Sequence, residues 1–123
     1  ILKAGIDVRG LAHITGDGFL NLPRLEADVG YVIDRLPEPH PVFGLIQDSG
    51  GVTDEEMYEV FNMGIGFCVI VPDRDSEKAL QIARQHGSGA SRIGHVVDDP
   101  DRTVTLTGVR LRGWRSKGFE KLP

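Results

Sequence analysis

This sequence predicts an α+β fold, a mixed β-sheet layered with helices, and three observations carry that prediction. Short β-type runs such as VGYVID (29–34) and GFCVIV (66–71) are separated by segments with helix start and stop signals. From residue 66 onward the order reads strand, helix, strand, strand. With 26% charged and 40% hydrophobic residues the composition is ordinary for a globular domain, and 123 residues bury roughly 65% of their unfolded surface, enough for a core without staples.

The chain opens on ILKAG, which reads as the end of an amphipathic helix. It has no initiator Met and no charged-then-apolar leader, so it is expected to be cut from a longer polypeptide. VGYVID ends at LPEPHP, where three prolines in five positions forbid regular hydrogen bonding and make a stiff connector. In PVFGLIQDSGG, Pro41 suits a first helical turn and Gly50–Gly51 a stop, with Val42, Leu45 and Ile46 expected inward. TDEEMYEVF has Thr53 as N-cap and Glu56 three residues on, a capping box, and an expected inward stripe of Met57, Val60 and Phe61. The continuous apolar run after Gly64 and Gly66 reads as a central strand covered on both faces. SEKALQIARQHG, with Ala79, Leu80, Ala83 and His86 on one face and Gly87 as stop, is expected to cover it. SRIGHVVDD and RTVTLTGVRL flank the acidic turn DDPD and read as an antiparallel pair. The second half therefore has a split βαβ order, partly ferredoxin-like.

Net charge is −4, but residues 110–123 carry Arg110, Arg112, Arg115, Lys117 and Lys121 against Glu120 alone. The acidic remainder argues against a nucleic-acid footprint, and the basic segment reads as a solvated C-terminal tail. No apolar run approaches the ~20 residues of a membrane span, so a soluble chain with no membrane partner is expected. The single cysteine, Cys68, lies in an apolar run with no disulfide partner; it reads as a buried, inert thiol and fits a reducing compartment. His40, His86 and His95 have no metal-ligand spacing with Cys68 or one another, and no metal site is expected. No nucleophile elbow appears.

The chemistry-bearing stretch is HITGDGFLNLPR (13–24). Thr15 offers a hydroxyl, Gly16 and Gly18 a flexible backbone whose N–H groups can line an anion nest, and Arg24 a charge fork. If NLPRL starts a helical turn, its positive end faces the same point. The other reading is a Gly-Asp-Gly turn that needs no ligand, and Asp17 weighs towards it because a carboxylate repels an anion. His13 is either a proton carrier or a structural residue. In FNMGIG (61–66), Asn62 either binds a ligand with Gly64 allowing close approach, or ends the preceding helix while Met63 packs.

GLAHITGDGFLNLPR, then GYVIDRLPEPHPVFGLIQDSGGVTDEEMYEVFNMGIGFCVIVP, then IGHVV closely resemble the C-terminal domain of the aminoimidazole ribonucleotide synthetase family, the phosphoribosylformylglycinamidine cyclo-ligases. The resemblance covers residues 3–98 and is specific in pairing HITG-x-G with NLPR and a later FNMGIG. It implies a homodimeric, cytoplasmic enzyme of purine biosynthesis that uses ATP and magnesium to close the ring of formylglycinamidine ribonucleotide. Carried onto this chain, it implies that His13, Thr15, Gly16, Gly18, Asn21 and Arg24 line the cleft that meets substrate or nucleotide phosphates, with Asp17 among them and Asn62 and Gly64 as a supporting loop. Two departures stand out. Asp17 replaces a glycine usual in the family, and residues 1–109 make up only part of the C-terminal domain, followed by the basic tail 110–123. The family's N-terminal domain, which holds the metal-binding acids and main dimer interface, and the first substrate loop of the C-terminal domain have no counterpart here. The 123-residue piece alone is expected to be inactive; the rival expectation is a non-catalytic module that binds a nucleotide or partner.

Overall fold

The computed structural model describes residues 1–123 and distributes seven strands over two sheets. In chain order the strands are β1 (Gly10–His13), β2 (Val29–Ile33), β3 (Phe67–Ile70), β4 (Gly94–Asp98), β5 (Val104–Leu106), β6 (Leu111–Trp114) and β7 (Gly118–Lys121). The helices are α1 (Pro41–Gly50), α2 (Asp54–Val60) and α3 (Asp73–Gln85), with 3-10 helices at Leu2–Ala4 and Gly18–Leu25. β1 and β3 make an antiparallel two-stranded ribbon. The other five strands are ordered β4-β2-β5-β6-β7, and within that sheet only β2–β5 is parallel. The α+β class with a mixed sheet holds.

Local signals account for the helix ends. Pro41 opens α1, and Gly51 at φ +62° closes it in the left-handed conformation that glycine adopts freely. The Thr53 hydroxyl oxygen accepts the Glu56 amide at 3.3 Å and caps α2. The core forms where one face of the large sheet, with Tyr31, Ile33, Val104, Leu106 and Leu111, meets Phe19 and Leu22 of the longer 3-10 helix and Met57 of α2. No helix is long and apolar enough to cross a membrane.

Several expectations are corrected. β3 is not a central strand covered on both faces: it pairs with β1 alone, and its residues alternate, Cys68 inward while Phe67 and Val69 are 55% and 37% exposed. β4 and β5 do not pair with each other, because β2 lies between them. α3 does not cover β3. It buries only Ala79 and is tied to the segment before β1, through the Asp7 amide to Asp75 at 3.2 Å and Lys78 to the Ala4 carbonyl at 2.9 Å. In α1 the packed residues are Phe43 and Ile46, with Val42 and Leu45 exposed; in α2, Tyr58 is buried and Val60 exposed. ILKAG forms a single 3-10 turn stopped by Gly5. Residues 110–123, expected as a solvated tail, form the β6–β7 hairpin, with Leu111, Gly113 and Phe119 inward and Arg112 and Glu120 outward.

Candidate active site

β1 carries His13 to one end of the ribbon, where the chain leaves through Thr15–Gly18. Thr15 and Gly16 are exposed, and a Cβ built on Gly16 meets nothing within 4 Å. Within residues 15–18 only the Gly18 amide donates to a protein group, the Thr15 carbonyl at 3.0 Å, which leaves three successive N–H groups available to solvent or ligand.

Gly18 serves packing. Its φ is +50°, it is buried, and a Cβ there would collide with the Tyr58 carbonyl oxygen and lie 2.9 Å from that of Phe61. Loop 15–18 therefore presses directly on the backbone at the end of α2. Asp17 also has positive φ, +75°, in a region that Asp tolerates better than most residues but that glycine adopts without strain. The Asp17 carboxylate accepts from the Arg24 guanidinium at 3.1 Å, with both side chains more than half exposed. The pair answers how a carboxylate sits in this loop: it turns to a cation on the chain itself.

The 3-10 helix begins at Gly18, five positions before Pro23, so Asn21 lies within it and not before it. Asn21 is 4% exposed, and its amide nitrogen donates to the Gly16 carbonyl at 2.9 Å and the Gly18 carbonyl at 2.7 Å. It holds the loop closed from behind.

The second loop is built by Asn62. Its side-chain oxygen accepts the Gly64 amide at 2.9 Å and its carbonyl accepts the Ile65 amide at 3.0 Å, with Met63 and Gly64 both at positive φ between them. Met63 is buried, while Phe61, not Asn62, caps α2. Gly64 is exposed and faces His40 at the end of the proline-rich connector. The two loops meet: the Ile14 amide donates to the Gly66 carbonyl at 3.0 Å, and His13 stands opposite Phe67 in the ribbon, ring centroids 6.4 Å apart. His13 is exposed and makes no hydrogen bond or ion pair.

Sequence reasoning missed Phe67, His40 and the Tyr58 and Phe61 carbonyls as parts of this site. GFCVIV is apolar throughout and singles out no exposed residue, so no signal marked Phe67; a carbonyl contact leaves none either. Cys68 lies behind the ribbon, and burial pushes its thiol up to about 11, so it stays protonated at neutral pH. No group of three or more His, Cys, Asp or Glu side chains is placed to hold a metal ion, and the carboxylate at the loop is engaged by Arg24. These residues do not fit a magnesium site.

The family model described as "AIR synthase related protein, C-terminal domain" matches residues 1–107. The chain belongs to this family. The phosphoribosylformylglycinamidine cyclo-ligase of Methanocaldococcus jannaschii is 56% identical over 93 residues, which are 76% of this chain and 27% of that protein. That of Methanococcus maripaludis strain C5 is 54% identical over 107 residues, 87% of this chain and 30% of the relative. The Methanopyrus kandleri protein of the same name is 46% identical over 106 residues, 86% and 30% respectively. The chain thus spans less than a third of the length of these curated relatives.

Proposed function

We propose that this AIR synthase-related domain is the C-terminal part of a phosphoribosylformylglycinamidine cyclo-ligase, and that loops 13–18 and 61–66 form one wall of its substrate cleft. The observation that carries the reading is the meeting of the two loops at one ribbon end, in a chain 46–56% identical over 93–107 residues to proteins of that name. The reaction closes the ring of formylglycinamidine ribonucleotide at the expense of ATP: the formyl oxygen is activated by phosphoryl transfer, an amidine-side nitrogen attacks the carbon, and phosphate leaves. Catalysis of this kind is positioning and charge stabilisation.

This chain's share is binding. The Thr15, Gly16 and Asp17 amides and the Thr15 hydroxyl offer donors to a phosphate, of substrate or nucleotide, while Asn21 and Gly18 keep the loop in shape. Arg24 contributes its guanidinium in competition with Asp17, and His13 and Asn62 stand at the rim. Magnesium is assigned to no residue here. The cytoplasmic location and the homodimer of the full-length enzyme belong to the same proposal.

A protein of the relatives' full length, carrying this domain, is expected to convert formylglycinamidine ribonucleotide with ATP, and the 123-residue chain alone is expected to do neither that nor ATP hydrolysis. In the full-length protein, a ribonucleotide monophosphate at a hundredfold over its dissociation constant stabilises the fold by ~2.7 kcal/mol. No thermal shift at millimolar ligand would remove the cradle from this account. A second reading, a non-catalytic binding module, draws on the Asp17–Arg24 pair, which occupies the cation a phosphate needs. Turnover by the full-length protein excludes it.

A further inference from the structure

The β6–β7 hairpin lies beyond the residues matched by the family model, yet it is hydrogen-bonded to the helix that walls the candidate site. β7 is an edge strand of the large sheet, with one row of its backbone groups turned away from β6. α2 lies along that edge. The Glu59 carboxylate, half-buried on α2, accepts the Phe119 amide of β7. Gly118, at φ +79°, leaves the space that this carboxylate fills: a Cβ there would collide with Glu59 Oε1. Lys121 approaches Glu55, one helical turn earlier on the same face, at 3.9 Å. A carboxylate accepting a backbone amide in a sheltered place makes a strong hydrogen bond, so the contact fixes α2 against the hairpin.

The opposite end of this connection is the site. Glu59 is flanked in sequence by Tyr58, whose carbonyl walls Gly18, and two residues further Phe61 adds the second carbonyl and leads into loop 61–66. A shift of α2 relative to the sheet therefore moves both loops together. We propose that Glu59 is a positioning residue, clamping the C-terminal hairpin to α2 and thereby holding loops 15–18 and 61–66 in register with each other. What those loops bind rests on the function proposed above; the coupling does not.

Amide hydrogen exchange in the 123-residue chain tests this. Glu59→Ala is expected to speed exchange about tenfold at Phe119, at Gly18 and at Ile65, the loss of one charge-assisted hydrogen bond, while Arg9, bonded to Ile70 at the far end of the ribbon, keeps its rate. Glu59→Gln, which keeps an acceptor oxygen but not its charge, is expected to exchange at rates between those of the unsubstituted chain and Glu59→Ala. If Glu59→Ala does not fold, Glu59→Asp, which withdraws the oxygen from Phe119, is read the same way. Acceleration confined to Phe119, equal acceleration at Arg9, or a Glu59→Gln profile like that of Glu59→Ala would each overturn the proposal. A parallel titration of a protein of the relatives' full length with inorganic phosphate separates the two readings: absence of binding there argues against the cradle and leaves the exchange result standing.

Discussion

The ribbon and the large sheet divide the work of this domain. In the sheet, Val104, Leu106 and Leu111 are wholly buried, and its inner face holds most of the core. In the ribbon only one face is covered: Ala12 and Cys68 point inward, while Leu11, Phe67 and Val69 are exposed. The candidate site hangs from the ribbon, the element with less burial, and is steadied by α2, which packs on the sheet. Stability and binding therefore rest on largely different residues, and substitutions can move them separately.

The sharpest way to break this contrast is at the sheet. Leu111→Ala removes a side chain with no exposure and is expected to cost about 3–5 kcal/mol in chemical denaturation. A cost below that of any ribbon substitution would reverse the comparison. Gly18→Ala, at the joint between the two regions, forces a methyl group onto two carbonyls and is expected to cost about 2–3 kcal/mol. Its phosphate affinity should fall as well, read by titration. On the ribbon's inner side, Cys68 has a folded pKa raised from 9.0 to about 11. A raised acid pKa means the native state holds its proton longer than the unfolded chain, so stability is intact below pH 9 and falls between pH 9 and 11. This thiol's share of the fall is roughly 2 kcal/mol, and Cys68→Ala should remove that share, leaving the part due to Tyr31 and Tyr58, whose phenols burial also pushes up, in denaturation curves measured across that window. Asp17→Gly relieves a left-handed backbone and breaks only an exposed ion pair, so stability should rise by about 0.5 kcal/mol and phosphate binding should strengthen. A weaker phosphate complex would assign Asp17 a part in binding. Smallest of all, Phe67→Thr on the ribbon's exposed face should change stability by less than about 0.5 kcal/mol.

Signals written in a few adjacent residues were legible: Pro41, Gly51 and the Thr53 cap stand where the sequence placed them. Signals that depend on what lies across the fold were not. FCVIV is apolar throughout, and nothing within it says that β1 is its only partner or that one face stays open. The hairpin was hidden by charge: Arg112 and Glu120 drew attention from the alternating Leu111, Gly113 and Phe119 beneath them. At the site, HITGDG was recognisable as a loop with available amides, but the inward turn of Asn21 was not. A polar residue in a polar stretch gives no sign that its partners are the carbonyls of its own loop. Asp17 found its cation seven residues on, in Arg24.

The parallel pairing of β2 with β5 has a consequence in time. Ile33 and Thr107, hydrogen-bonded at the end of that pair, are 74 residues apart, so β2, an inner strand of the large sheet, cannot close on β5 until that much further chain has been made. Until β4 and then β5 follow, VGYVI is a strongly β-forming segment with open edges on a growing chain. Non-local strand closure of this kind places folding in the slow range of milliseconds to seconds, and the interval before it is when nascent chains are most exposed to pairing with one another.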